Sequence, residues 1–211
     1  MRLEPILASK LNEVIKVSFG ESLSVIGFQQ LTPRKWVGKE KAPIRCLFNL
    51  QSLKGGSLSP KWGFSLDFVP HICGSSIRWH RTSKSAILDV CFDPLDDQQP
   101  YSNEFRISRI ATESEMLKQA MLIRNDVLTQ ALAFWDRVTI VSDLPSVFEF
   151  LKGRKTKRFH FYNYTQHPLA YALTLAILGE EKQARIELQH FLNPRFVSDQ
   201  IREKILNLFE D

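Results

Sequence analysis

The sequence predicts an α+β protein in which an N-terminal helix and an antiparallel sheet, over residues 1–110, pack against a helical half, over residues 111–211. Two changes of pattern predict this class. From about residue 27, short runs of β-branched and aromatic residues alternate with clusters of Pro, Gly, Ser and Asp, which is typical of strands joined by turns. After residue 112 the apolar residues recur at helical spacing. We expect the two parts to form one compact unit.

Composition is that of an ordinary globular protein. Of the 211 residues, 44% are hydrophobic and 24% are charged, which provides enough apolar surface for a sizeable core and argues against a disordered chain. The 28 Lys and Arg residues exceed the 23 Asp and Glu residues, giving a net charge of +5. An excess of this size is only weak support for binding to nucleic acid.

The N-terminal stretch does not have the pattern of a secretion signal. Glu4, Lys10, Glu13 and Lys16 interrupt its apolar residues. The longest apolar run, residues 168–178, is far shorter than the roughly 20 residues that span a bilayer. We therefore expect a cytoplasmic protein with no membrane partner.

The sheet half begins with a helix and continues as short strands. Pro5 lies in the first turn of this helix, its apolar residues form one face, and Gly20 is expected just beyond its end. Short connections between the strands favour an antiparallel meander. The predicted strands are 34–38, 44–52, 61–69, 76–81 and 86–92, with a further strand at 104–110.

The helical half begins with a strong start signal. Thr112 and Glu115 have the spacing of a capping box, and the helix over 112–136 is apolar around most of its circumference, so we expect it to lie deep in the molecule. Pro145 and Gly153 mark the start and end of the next helix. Three more helices are predicted at about 168–178, 181–192 and 198–209.

The order of motifs over about residues 1–95 is similar to that in a family of bacterial domains of unknown function. In that family a "GF" segment, an aromatic residue, an "F-x-x-Q-x-S" strand and a further alternating strand follow one another. Some members are encoded near polymorphic toxin systems and have been considered as immunity proteins. The resemblance implies the fold and supplies no catalytic residue or cofactor. The matching residues are Gly27, Phe28, Trp36, Phe48, Gln51, Ser52, Gly63 and Phe64.

The first candidate binding surface is the polar face of the predicted hairpin "CLFNLQSLKGGSLSPKWGFSLDF". Because side chains alternate along a strand, Phe48 and Phe64 point to the core face and Asn49, Gln51, Ser65 and Asp67 point to the other face. These polar groups either bind a ligand or partner, or form a solvated face around a scaffold.

The second candidate surface is "SIRWHRTSK", which brings Arg78, Trp79 and Arg81 close together. A guanidinium group beside an aromatic ring binds phosphate or stacks on a base. The alternative is an exposed edge strand that is protected from aggregation by its positive charge.

The third candidate surface is the basic-aromatic segment, residues 152–164. In this segment Arg154, Lys155, Lys157 and Arg158 precede several aromatic residues. Cations that attract phosphates, next to rings that stack on bases, suit single-stranded nucleic acid. A basic loop that leads into a buried aromatic segment has the same pattern.

The acidic stretch "LDVCFDPLDD" raises the alternative of a hydrolase. Asp89, Asp93, Asp96 and Asp97 are close in sequence, and paired carboxylates with His71 or His80 are suited to acid–base catalysis. The Pro94 context instead favours a turn in which Asp side chains accept hydrogen bonds from backbone amides. No recognised catalytic motif is present, so we assign no catalytic residue.

The cysteines predict neither a disulfide framework nor a metal centre. Cys46, Cys73 and Cys91 are widely spaced and lie among strand-forming residues, which is typical of buried thiols. A zinc site built from His71, Cys73, His80 and Cys91 is the alternative, but these spacings match no zinc knuckle. We expect no metal and no cofactor.

These patterns favour a non-catalytic, cytoplasmic protein-binding module, such as an immunity or regulatory protein, whose partner is another protein. Single-stranded nucleic-acid binding through residues 152–164 is the alternative, and a hydrolase ranks below it.

Overall fold

The computed structural model describes residues 7–38, 42–73, 76–98, 104–109, 112–157, 160–164, 166–192 and 198–209. The protein has the predicted α+β fold, with an antiparallel sheet and helices. None of the helices in these ranges is long and apolar enough to cross a membrane.

The N-terminal helical segment extends further toward the C-terminus than predicted, while Pro5, expected in its first turn, lies outside the described residues. Helix α1 (Ala8–Ile15) continues through a π-helical turn (Lys16–Gly20) into α2 (Glu21–Val25). The prediction that this helix ends before Gly20 is therefore wrong, because Gly20 adopts ordinary right-handed helical angles. The segment ends instead at Gly27, whose φ of +88° is suited to a helix terminus.

Five strands form the main sheet, and two form a separate hairpin. The main sheet has the order β1-β2-β3-β4-β7, and every neighbouring pair is antiparallel. The short hairpin consists of β5 and β6. The strands are β1 (Gln29–Thr32), β2 (Lys35–Val37), β3 (Ile44–Ser52), β4 (Leu58–Leu66), β5 (His71–Cys73), β6 (Ser76–Arg78) and β7 (Val90–Phe92).

Several strand boundaries differ from the sequence predictions. Strand β1 was not predicted, because "QQLT" has a single apolar residue; pairing with β2 stabilises it. The predicted strand 86–92 begins only at Val90, because the Ile87 N–H donates to the Ser65 hydroxyl instead of to a strand. The predicted strand 104–110 does not form within the described residues 104–109. There, Ile107 makes an isolated β-bridge with Leu58. Residue 110 lies outside the described ranges.

The described residues of the second half form the α-helices α3 (Glu113–Trp135), α4 (Leu144–Gly153), α5 (Gln166–Ile177), α6 (Glu181–Phe191) and α7 (Asp199–Asn207). The capping box of Thr112 and Glu115 is present. The prediction that α3 is buried on nearly all sides is wrong: Val127 is fully buried, whereas Leu122 is 63% exposed. Helix α3 contacts α1, the π-helical turn and β4, so only one of its faces is covered.

The sheet and the helices share one hydrophobic core. The ring of Phe64 on β4 stacks on that of Phe134 on α3, with 5.4 Å between the centroids. The Trp135 indole N–H donates to the Gly63 carbonyl oxygen over 3.1 Å. A smaller cluster of Val37, Leu47 and Ala86 lies on the opposite face of the sheet.

Candidate functional site

The face of the sheet away from the main core carries most of the predicted polar residues. In the β3–β4 register, Asn49 lies opposite Lys61 and Gln51 lies opposite Ser59. The chain after β6 folds back over part of this face, where the Lys35 ammonium group donates to the Ala86 carbonyl oxygen. The face is therefore partly covered by the protein itself.

The four polar residues predicted on this face have different surroundings. The Gln51 amide donates to Asp93 Oδ2 over 3.2 Å, and the buried Ser65 hydroxyl accepts from the Ile87 N–H. Asp67 forms an ion pair with the buried Arg45. Asn49 is half-buried. Three of the four side chains thus fix neighbouring segments.

A polar cluster, consisting of Lys61, Asp93, Asp96, Arg154 and Tyr164, connects the sheet to the helical half. Lys61 Nζ lies 2.8 Å from Asp93 Oδ2, and the Tyr164 hydroxyl donates to Asp96 Oδ2 over 2.7 Å. The Arg154 guanidinium donates to the Asp93 carbonyl oxygen over 3.3 Å. The acidic stretch and the basic-aromatic segment therefore bind each other.

Burial shifts the ionisation of groups in and around the polar cluster. It raises the pKa of Asp96 to about 6 and that of the Cys91 thiol to about 12, and it raises the pKa of Tyr164. It lowers the pKa of His167 to about 3. At neutral pH, Cys91 is therefore a protonated thiol, which is a poor nucleophile. His167 is neutral, and its Nε2 accepts a hydrogen bond from the Cys91 N–H over 2.9 Å.

The raised pKa of Asp96 predicts a dependence of stability on pH. A carboxyl group whose pKa is higher in the folded state, about 6 against a usual 3.8, favours folding when protonated. Its contribution to stability therefore falls as pH rises from about 4 to about 6. Asn at this position is neutral throughout. We expect the stability advantage of Asp96→Asn over the wild type to grow across this interval by about 2–3 kcal/mol, measured by urea unfolding.

The comparison with Asp96→Asn is needed because His167 titrates in the opposite sense. Its pKa is lowered in the folded protein, so its contribution to stability is lost as pH falls from about 6.5 toward 3. Both proteins contain His167, so its effect cancels in the difference between them. A difference that stays constant from pH 4 to pH 7 would contradict the prediction for Asp96.

The first two cations of the basic-aromatic segment form ion pairs with carboxylates of the same chain. Lys152 Nζ lies 2.9 Å from the buried Glu187 carboxylate and 3.2 Å from that of Glu149. Arg154 pairs with Asp97 over 2.6 Å, and its guanidinium carbon lies 3.9 Å from the centroid of the Phe92 ring. Two of the cations proposed to contact phosphate are thus held by carboxylates.

The other cations of the segment have different settings. Lys155 and Lys157 are exposed, and the Lys157 backbone N–H donates to the Asp96 carbonyl oxygen over 2.7 Å. Arg158 lies outside the described residues. Lys155 and Lys157 are therefore the described cations of the segment that are open to a ligand.

Residues 78–81, termed the Trp79 segment, follow the end of β6. Arg78, Trp79 and Arg81 are exposed, whereas His80 between them is buried. Trp79 is 43% exposed, and the Arg81 guanidinium carbon lies 4.3 Å from the centroid of its ring. The predicted strand 76–81 ends at Arg78 because the chain turns inward at His80.

Buried polar groups hold the Trp79 segment in place. His80 Nε2 lies 2.7 Å from Asp89 Oδ2, which also accepts from the Leu66 N–H over 2.8 Å. The Arg81 Nε–H donates to the Asp67 carbonyl oxygen over 3.1 Å, and Arg45 donates to the Arg81 carbonyl oxygen over 3.0 Å. These contacts hold His80 and Arg81 in place, and the Arg81 guanidinium in turn packs against the Trp79 ring.

The four carboxylates considered for hydrolysis serve separate contacts. Asp89 pairs with His80, Asp93 with Lys61, and Asp97 with Arg154, while Asp96 accepts from Tyr164. Asp93 Oδ1 also accepts from the Leu95 N–H over 3.0 Å, as expected for an Asp that caps a turn. Acid–base work in a hydrolase needs carboxyl groups within reach of a substrate, whereas Asp89, Asp93 and Asp96 are buried.

The residues considered for zinc do not form one site. Across the described parts of the chain, no group of three or more His, Cys, Asp or Glu side chains is placed to hold a metal ion. Cys46, Cys73 and Cys91 form no disulfide with one another. The prediction that these thiols are buried holds for Cys91 and is wrong for Cys73, which is exposed at the end of β5, while Cys46 is half-buried.

Sequence reasoning missed Lys61, Arg45 and His167, which the structure places at the centre of these contacts. Strand alternation alone puts Arg45 and Lys61 on the polar face, so the signal was present for both. His167 hydrogen-bonds to a residue that is 76 positions away in the sequence, and no local pattern indicates such a contact.

The comparisons with known proteins add no assignment, since no protein-family model, curated protein or solved structure matches this chain.

Proposed function

We propose that this chain is a non-catalytic, cytoplasmic protein-binding module, such as an immunity or regulatory protein, and that the Trp79 segment is its main contact with the partner. The observation that supports this is the pairing of a half-exposed Trp79 with Arg81 on a rigid base. Trp and Arg are the residue types that contribute most often to the energetic centres of protein interfaces.

Rigidity strengthens the case for the Trp79 segment. An interface side chain that is already ordered before binding loses less conformational entropy when the complex forms. The buried contacts of His80 with Asp89, and of Arg81 with the backbone at Asp67, provide this order. Arg78 adds a second exposed cation, so a partner with an acidic surface fits this segment best.

The internal ion pairs favour a protein partner over single-stranded nucleic acid. Binding to a nucleic-acid backbone needs cations that can exchange counterions for phosphates. Lys152 and Arg154 already have carboxylate partners in the folded chain. Of the cations of this segment that the structure describes, Lys155 and Lys157 remain exposed. Three cysteines that form no disulfide with one another also suit a reducing compartment such as the cytoplasm.

The test of this proposal uses purified proteins encoded by the genes on either side of the gene for this chain. We expect one of them to bind the wild type in calorimetry. We expect Trp79→Ala to weaken that binding by about 2 kcal/mol, roughly 30-fold, because the Trp side chain supplies the centre of the interface. The matched control is the double variant Lys155→Ala/Lys157→Ala, which should bind like the wild type.

Two results would contradict the proposal. The first is full affinity of the partner for Trp79→Ala. The second is submicromolar binding of a single-stranded oligonucleotide that falls steeply with salt and is lost in the Lys155→Ala/Lys157→Ala variant, which would support nucleic-acid binding instead.

A further inference from the structure

The strand at the edge of the main sheet, β1, has backbone groups that point away from the sheet. Gly38 donates to the Cys46 carbonyl oxygen, and Leu50 donates to that of Arg34. These two bonds lie on either side of Trp36, so Trp36 is the residue of β2 whose backbone groups point toward β3. Val37 therefore directs its backbone groups toward Gln29 of β1, its partner in the register.

The next residue of β1 has the opposite orientation. Because hydrogen-bonded and non-hydrogen-bonded pairs alternate in an antiparallel ladder, the Gln30–Trp36 pair is not hydrogen-bonded. The Gln30 N–H and C=O therefore point away from β2, to the edge of the sheet, where the described residues provide no further strand. Phe28, two residues earlier, has the same backbone orientation. Its N–H points away from β2 and donates to the Leu23 carbonyl oxygen. Gln30 thus offers one donor and one acceptor to an additional strand.

Two grooves flank the edge at Gln30, one on each face of the sheet. A groove of about 400 Å³ lies between α1 and β1 and is lined by Asn12, Lys16 and Gln30. A groove of about 650 Å³ on the other face is lined by Gln29 and residues 82–84. Leu31 borders both grooves. An added strand has side chains that alternate between the two faces, so successive residues would enter the two grooves in turn.

The charges in the grooves indicate an acidic occupant. Lys16 lies in the groove beside α1 and Lys84 in the other, and neither forms an ion pair with a residue in the described ranges. Glu13, the acidic residue of the first groove, lies 3.5 Å from Lys10, which lies equally close to Glu113. The Asn12 side-chain oxygen in the same groove is buried without a hydrogen-bond partner among the described residues.

An irregular register in β1 favours a short occupant. The pairing with β2 shifts between Gln30 and Thr32, and a shift of this kind twists an edge strand away from flat pairing with another sheet. A second folded copy of this chain would need a long, flat edge. A single extended segment needs only the few groups around Gln30 and the two grooves.

We propose that the β1 edge binds an extended acidic segment of the partner protein as an additional strand. This inference rests on the proposed function, because the segment belongs to the same partner that contacts Trp79. The two contact sites are adjacent, since Arg81 of the Trp79 segment is followed directly by Thr82 of the second groove. The body of a partner on Trp79 then lies beside the segment on β1. Backbone hydrogen bonds at Gln30 contribute affinity, and Lys16 and Lys84 select acidic side chains.

The test begins with a phage-displayed library of random 12-residue peptides, selected on the full chain. We expect the selected peptides to be acidic, and the strongest of them to slow hydrogen exchange at the Gln30 amide. Gln30→Pro should weaken its binding at least about tenfold, because Pro has no N–H. Gln30→Ala keeps the N–H and should bind within about threefold of the wild type. Both variants should keep the fold, because this N–H does not bond to β2.

The outcomes separate this inference from the proposed function. Selected peptides that are not acidic, or that bind Gln30→Pro as tightly as Gln30→Ala, would overturn the inference. If the neighbouring-gene partner loses affinity for Trp79→Ala but not for Gln30→Pro, the proposed function holds and the β1 inference fails. If the acidic peptide loses affinity for Gln30→Pro while the protein partner is unaffected by Trp79→Ala, the edge site stands and the Trp79 assignment fails.

Discussion

Val127→Asp is expected to unfold the protein. Val127 is fully buried on α3, the helix that contacts α1 and β4. A carboxylate at this position would lie within the hydrophobic core, and burying an unpaired ion costs several kcal/mol. That cost is a large part of the total stability of a typical domain, about 5–15 kcal/mol. Circular dichroism should show loss of the cooperative thermal transition.

The matched control for Val127→Asp is Leu122→Asp on the same helix. Leu122 is 63% exposed, so the new carboxylate remains in water and the variant should melt within a few degrees of the wild type. A Val127→Asp protein that melts at the wild-type temperature would show that α3 is not central to the core.

Gly63→Ala is expected to disrupt the pairing of β4 with β7. Gly63 lies opposite Cys91 in that ladder, and a side chain at Gly63 would point at the neighbouring strand. An ideal Cβ atom at this position would overlap the Val90 carbonyl oxygen and lie 2.8 Å from its carbonyl carbon. Backbone atoms in a ladder cannot move aside as a flexible side chain can. We therefore expect a loss of several kcal/mol in urea unfolding.

The loss of stability in Gly63→Ala should be accompanied by a local change in structure near β4. Displacing β4 from β7 should alter the environment of Trp135, whose indole donates to the Gly63 carbonyl oxygen, and so change its fluorescence. Gly153→Ala is the control, since a Cβ atom there meets nothing within 4 Å and Gly153 is the last residue of helix α4. It should be neutral or slightly stabilising. Equal stability of the two variants would refute the steric explanation.

The parts of the fold that were predicted correctly have local signals. The capping box of Thr112 and Glu115, and the start of α4 around Pro145, depend on residues within a few positions of each other. The β3–β4 hairpin follows from alternation on both sides of a Gly-Ser turn, although β4 begins and ends three residues before the predicted strand 61–69, so Asp67 lies beyond its end. In each case the physical cause is a short-range hydrogen bond or a side-chain period, which a sequence displays directly.

The errors occurred where tertiary contacts outweighed local preference. Gly20 is the residue type that ends a helix, yet it continues one through a π-helical turn packed on α3. Strand β1 has almost no apolar pattern and forms because β2 offers it partners. Residues 86–89 have the sequence pattern of a strand, but the Ile87 N–H donates its hydrogen bond to the Ser65 hydroxyl.

The candidate sites show the same division. The sequence places an exposed Trp beside two Arg residues and a row of cations before a row of aromatics. It does not show that Arg154 binds Asp97 over 2.6 Å while Arg81 stacks on Trp79. Both arginines look alike in their local sequence, and only long-range packing distinguishes them.

Side-chain periods and capping residues act over a few positions, so the fold class, the helical half and the hairpin that carries the polar face could be predicted from the residues alone. Which charges are neutralised and which stay exposed depends on the tertiary structure. An ion pair such as Lys61 with Asp93 forms between segments that are distant in the chain, and its formation depends on the sheet register and on burial. Neither of these is fixed until the whole core has packed.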